Sequence, residues 1–212
     1  MIIQDDNFLL YDEQIDLINK VFDPKLTFVN NWKPWYIIES FNVKDKKLNV
    51  AHLRHPLTLK NYNQSNVQIT ADIMQLNDKD NVCFKIFDAF CKKNNIKYER
   101  ITRARINILP PSPNSFTYNN PHIDDPSDHE VFIYYFNDSD GDTVIFDQKF
   151  IENNEESNIY SINKNIFSIK KQITPKMGLG ISFNGKHYHA SHAPKNTAAR
   201  CILNLNYKVN KK

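Results

Sequence analysis

The chain has 212 residues, is 41% hydrophobic and 24% charged, and carries a formal net charge of +3. That balance excludes a disordered chain and fits one domain with a closed core, or one domain with an added helical lobe. The slight positive charge does not argue for nucleic acid, and no apolar run approaches a membrane span, so neither is an expected partner.

The three cysteines, Cys83, Cys91 and Cys201, are odd in number and match neither a zinc site nor a disulfide framework. Buried reduced thiols are expected, and the start carries no basic, apolar leader, so the expected location is cytoplasmic.

Residues 9–22 read as a helix, with Leu10, Ile15, Leu17, Ile18 and Phe22 mostly at three- to four-residue steps. Asp23-Pro24 ends it. Residues 25–40 look like a strand pair broken at Asn30-Asn31 and Pro34, with Trp32 and Trp35 as core aromatics. Residues 42–66 are polar and irregular, and His52 and His55 read as loop residues rather than ligands. Residues 78–95 form a second helix with Val82, Ile86, Phe87, Phe90 and Cys91 on one face and Lys92-Lys93 suited to its C-terminal dipole.

From Tyr98 the pattern turns to short strands: 101–109, 122–124, 131–136, 143–146, 167–173, 178–183, 187–191 and 200–207. Turn residues such as Asn184-Gly185 and Asn137-Asp-Ser-Asp-Gly141 lie between them. Residues 153–158 form an acidic, Asn-rich insertion. The fold class is mainly β with N-terminal helices. Eight strands argue for a double-stranded β-helix, or jelly roll, with the helices covering one sheet. Residues 1–97 are then the support region and residues 98–212 the catalytic core.

The chemistry gathers at His122-Ile123-Asp124. In an extended strand, side chains at i and i+2 share a face, so this imidazole and this carboxylate can hold one metal ion. A third ligand is available among His187, His189 and His192. Two His and one carboxylate form the facial triad of non-haem Fe(II) centres, which leaves positions open. Asp125 faces away from Asp124 on a strand. Taken alone, the motif also fits a polar surface turn.

The stretch from Arg103 to Tyr207 resembles the Fe(II)- and 2-oxoglutarate-dependent dioxygenases, in particular the prolyl 4-hydroxylase-like branch. The residues that carry the resemblance come in order: His122-x-Asp124, Ile133-Tyr-Tyr-Phe-Asn137, Gly141-Asp-Thr-Val-Ile-Phe146, Pro175-Lys-Met-Gly178 with Phe183, then His189 and Arg200. Two departures stand out. Asp142 follows Gly141 where a second glycine is common, and the strand has one extra residue before Phe146.

The resemblance implies Fe(II) held by His122, Asp124 and His189, with 2-oxoglutarate and dioxygen as co-substrates. It favours His189, eleven residues before Arg200, over His192, and leaves His187 as a neighbour. Arg200 would anchor the distal carboxylate of 2-oxoglutarate, for which a planar guanidinium suits a carboxylate. One of Tyr134 and Tyr135 faces inward to assist it, since alternation forbids both, and the motif favours Tyr135. Thr143 and Asn107 are further candidates for the cofactor pocket. Arg103 and Arg105 face one side together and would reach an acidic substrate or the co-substrate, or lie on the strand surface.

The implied reaction is hydroxylation of a C–H bond with decarboxylation of 2-oxoglutarate to succinate, as in a prolyl hydroxylase-like enzyme. The substrate is a protein side chain or a small molecule. Two other readings are a non-catalytic jelly-roll binding module and a cupin-type metal enzyme that does not use 2-oxoglutarate.

Overall fold

The computed structural model describes residues 1–22, 36–39, 67–73, 76, 79–111, 118–119, 121–151 and 167–209. His52, His55, Trp32, Trp35, the 153–158 insertion and most of the expected strand pair at 25–40 lie outside them.

Two antiparallel sheets face each other. The larger runs in the order β1 (Ile2–Asp5), β8 (Gly180–Asn184), β5 (Glu130–Tyr135), β10 (Arg200–Val209), β4 (Tyr98–Leu109), β3 (Val67–Asp72) and β2 (Tyr36–Glu39). The smaller runs β7 (Ile169–Ile173), β6 (Thr143–Lys149) and β9 (His187–Ser191). The expected mainly β chain with N-terminal helices is what forms. β1 and β3 were not expected, and both pair on strands of the large sheet. Among the described residues, no helix is long and apolar enough to cross a membrane.

Both helices cover the outer face of the large sheet. α1 (Tyr11–Phe22) begins two residues later than the periodicity predicts, because the Glu13 carboxylate accepts from the Leu10 backbone N–H at 2.9 Å and fixes the first turn there. α2 (Val82–Lys93) is narrower than the expected 78–95 span because both ends are capped. The Asn81 side chain accepts from the Cys83 N–H at 2.9 Å. Asn95 takes a left-handed φ of 55°, and the Ile96 N–H returns to the Cys91 carbonyl. Phe87 and Phe90 are fully buried against Phe132, Tyr134, Leu205 and Tyr207. Each such ring contributes roughly 2–3 kcal/mol of apolar burial. Cys83 and Cys91 lie in this core as free thiols, and Cys201 packs against it, also free.

The opposite faces of the same strands look into the space between the sheets. Register places Asn107, Ile202 and Tyr135 side by side, then Arg105, Asn204, Ile133 and Ile181, then Arg103, Asn206, Val131 and Phe183. Paired residues share a face, so this inner surface is divided. The β5 and β8 half is apolar, while the β4 and β10 half carries arginines and asparagines.

Candidate metal centre

His122 does not sit in a full strand. It forms a single antiparallel bridge to His189, with His122 N–H to His189 O at 3.0 Å and the reverse bond at 2.9 Å. That bridge puts the two imidazoles on one side, 4.6 Å between ring centroids. Ile123 turns the other way, into a cluster with Val144, Phe146 and Tyr188 behind the small sheet. Asp124 therefore returns to the inner side, as i and i+2 alternation requires.

Ligand atoms of His122, Asp124 and His189 all lie within 4.8 Å of one another. Each imidazole Nε2 is 3.8 Å from Asp124 Oδ1. The Asp124 side chain is 4% exposed, and its Oδ2 is held by Arg103 Nη2 at 2.6 Å and Asn204 Nδ2 at 3.4 Å. Burial by itself would raise this carboxyl, but the neighbouring guanidinium and imidazoles hold it far below the usual carboxylate range.

His189 is buried, and its Nε2 has no hydrogen-bond partner among the described residues. Burial first, then the neighbouring His122, pushes its pKa down to about 4, so near neutrality it is a neutral ring. A buried nitrogen lone pair left unsatisfied is costly, and a metal ion would use it. His187 and His192 are placed elsewhere. The His187 ring Nδ1 pairs with the Phe146 carbonyl at 2.8 Å, and His192 stacks on Tyr118 at 6.1 Å.

The second cluster lies at the start of β10. Arg200 is 2% exposed, and its Nη2 donates to Thr143 Oγ1 at 2.6 Å. The Tyr135 hydroxyl donates to the same Oγ1 at 2.7 Å, and the guanidinium lies 5.7 Å from the Tyr135 ring centroid. Arg200 Nε has no hydrogen-bond partner among the described residues. Among the described residues no carboxylate forms an ion pair with this buried cation. Tyr134 points the other way, under the helices against Phe8 and Phe136. Asn107, 6% exposed, accepts from Thr70 at 3.0 Å on the inner face.

Arg103 and Arg105 do share one side, but each meets a carboxylate of the chain, Asp124 and Asp72 respectively, both at 2.6 Å. The sequence reading missed Asn204. Its signal was present in Leu203-Asn-Leu-Asn206, where polar residues alternate with apolar ones inside a buried strand.

Solved structures resemble the whole described architecture. A prolyl hydroxylase from Trichoplax adhaerens, solved with a hypoxia inducible factor oxygen degradation domain peptide fragment, superposes with a TM-score of 0.54 at 15% identity, covering 98% of this chain and 83% of that one. The non-haem α-ketoglutarate-dependent carbocyclase SnoK of nogalamycin biosynthesis gives 0.60 at 7% identity, covering 98% and 79%. This chain has the fold of the 2-oxoglutarate–Fe(II) oxygenases. A Pseudomonas putida prolyl-4-hydroxylase shares that oxygenase fold at a TM-score of 0.50 and 11% identity, covering 99% and 93%. No family model matches the sequence, and no curated protein matches it.

Proposed function

We propose that this protein is an Fe(II)- and 2-oxoglutarate-dependent oxygenase of the prolyl 4-hydroxylase-like branch that hydroxylates a substrate C–H bond. Residues 98–212 are its double-stranded β-helix catalytic core, supported by residues 1–97. One observation carries the reading. Among the described residues, the inner side of the sheets holds both a His–Asp–His set with an orphaned buried nitrogen and a buried arginine that forms no ion pair with a carboxylate.

His122, Asp124 and His189 would hold Fe(II), and Arg200 with Tyr135 and Thr143 would hold the distal carboxylate of 2-oxoglutarate. Bound there, the metal supplies activation of dioxygen, coupling decarboxylation of the co-substrate to substrate oxidation. The protein's own share is orientation and exclusion of water. Arg200 and Asn204 face one side of β10, about 13 Å apart along the strand. An extended arginine and a five-carbon dicarboxylate together can cover that span. Ile133, Ile181 and Phe183 line the space with apolar surface, which strengthens the charge interactions inside it.

The peptide bound to the Trichoplax enzyme supports a protein side chain as substrate class. The three free cysteines support a reducing, cytoplasmic setting.

The test is an anaerobic titration of the Fe(II)-loaded protein with 2-oxoglutarate, following the visible charge-transfer band of the chelate. The band is expected in the wild type and is lost in Asp124→Ala and Arg200→Ala. Iron binding without a band would favour a cupin-type centre instead, and absence of metal binding would favour a binding module.

A further inference from the structure

Arg103 stands beside the His–Asp–His set without belonging to it. Its guanidinium and the Asn204 amide take one oxygen of Asp124, Oδ2, at 2.6 and 3.4 Å. The other oxygen, Oδ1, faces both imidazole nitrogens at 3.8 Å. One carboxylate oxygen is thus held by the chain, and the other is left to meet a metal ion.

We propose that Arg103 is a positioning residue that also sets the charge of the centre. It presents a single oxygen of Asp124, weakens the hold on the bare metal ion, and strengthens the hold of the loaded centre on an anionic co-substrate. The proposal rests on the oxygenase reading above. Imidazoles bind a metal as uncharged rings, so the two His ligands and one carboxylate bring one negative charge and a divalent ion leaves the set one charge positive. With Arg103 included, the loaded centre is two charges positive. The guanidinium repels the incoming cation and attracts the incoming dianion, so the two affinities move in opposite directions.

The Arg103 side chain is 25% exposed, so solvent screens the effect without removing it. Arg105 makes the useful contrast. It lies two residues along the same face, but its partner is Asp72 at 2.6 Å, and its charge is balanced away from the centre.

The experiment titrates the protein with cobalt(II), read by visible absorption, and then titrates the cobalt-loaded protein with 2-oxoglutarate under argon. Arg103→Met is expected to bind cobalt about tenfold more tightly and 2-oxoglutarate about tenfold more weakly. Arg103→Lys keeps the charge without the fork and returns both values toward wild type. Arg105→Met stays at wild type in both. Arg103→Gln, which keeps a donor for Oδ2, should show the same two signs where the methionine variant fails to fold; thermal melts report folding of each protein.

An Arg103→Met protein whose cobalt affinity falls or stays level, or whose 2-oxoglutarate affinity is unchanged, overturns the proposal alone. A wild type that binds neither cobalt nor 2-oxoglutarate overturns the oxygenase reading and this proposal with it.

Discussion

Arg200 and Thr143 join the two sheets through one short hydrogen bond, Nη2 to Oγ1 at 2.6 Å. The bond runs from the first residue of β10 to the first residue of β6 and fixes a buried guanidinium that meets no carboxylate of the described chain. Burial lowers the pKa of Arg200 somewhat, and such a cation gains most from an anionic ligand. Arg200→Ala is expected to weaken 2-oxoglutarate binding by about 10- to 100-fold, the range of lost charge-assisted hydrogen bonds. Cobalt(II) affinity should stay near wild type. An equal loss of both, read by titration, would mean that Arg200 supports the fold rather than the ligand.

Tyr134 and Tyr135 are both fully buried, yet their hydroxyls differ. The Tyr135 hydroxyl donates to Thr143 at 2.7 Å, while the Tyr134 hydroxyl, beneath the helices, has no hydrogen-bond partner among the described residues. Removing an unsatisfied buried hydroxyl relieves a desolvation cost of about 1–3 kcal/mol. Tyr134→Phe should therefore melt at or above the wild-type temperature and leave co-substrate affinity unchanged. Tyr135→Phe should loosen the Thr143 and Arg200 arrangement and weaken 2-oxoglutarate binding roughly tenfold. Reversal of the two phenotypes would place the wrong tyrosine at the pocket.

The same pair shows what the sequence could and could not convey. Alternation at Ile133-Tyr-Tyr-Phe already required one tyrosine inward and one outward, and the strands from β4 to β10 were legible as short alternating or continuously apolar runs separated by turn residues. β1 and β3 were not legible. Ile2-Ile3-Gln4-Asp5 and Val67-Gln68-Ile69-Thr70 are short, and their pairing is decided by β8 and β4, far away in the chain. A His-x-Asp motif can be seen in a sequence, but the Arg103 and Asn204 clamp on Asp124 cannot. It depends on the register of β4 against β10, which a two-residue slip in either strand would undo.

Three histidines compete for the third metal position in the sequence, and the structure separates them by their neighbours. His189 Nε2 is 3.8 Å from Asp124, whereas the His187 ring meets the Phe146 carbonyl and His192 stacks on Tyr118. His189→Ala is expected to reduce cobalt(II) affinity by at least about 100-fold, by analogy with the 10- to 100-fold cost of losing only an outer partner of a metal ligand. His192→Ala should bind cobalt(II) as the wild type does. Metal binding that survives His189→Ala but not His192→Ala would move the centre to the segment just after β9.

Two glycines should fail for different reasons when replaced by alanine. A Cβ on Gly141 would come within 2.8 Å of the His192 carbonyl and 3.1 Å of Arg200 Cδ. Gly141→Ala is therefore expected to displace Arg200 and weaken 2-oxoglutarate binding more than it lowers stability. Gly178 has a φ of 86°, and a Cβ there would lie 2.2 Å from Gln14 Oε1, beneath α1. Gly178→Ala should cost about 2 kcal/mol of stability, roughly 4–8 °C in Tm for a chain of this size, with little change in ligand affinity once folded. Thermal melts and 2-oxoglutarate titrations of the two variants should rank them in opposite orders.

Asp140 ties the loop before Arg200 to the turn after β5. Its carboxylate accepts from the backbone N–H groups of Lys195, Asn196 and Thr197 and from the side chains of Asn196 and Thr197. The slight burial would raise its pKa, but these hydrogen bonds outweigh that and hold it well below the usual carboxylate value. A carboxyl depressed in the folded state binds its proton more readily once unfolded. Its stabilisation is therefore complete above the unfolded value near 4 and is lost as pH falls further. The wild type should lose stability on acidification below about pH 4 more steeply than Asp140→Asn, which cannot titrate. Above that pH the variant should be the less stable protein, and its 2-oxoglutarate affinity should fall as the start of β10 loosens. Parallel pH profiles of melting temperature for the two proteins would show that Asp140 does not hold this loop.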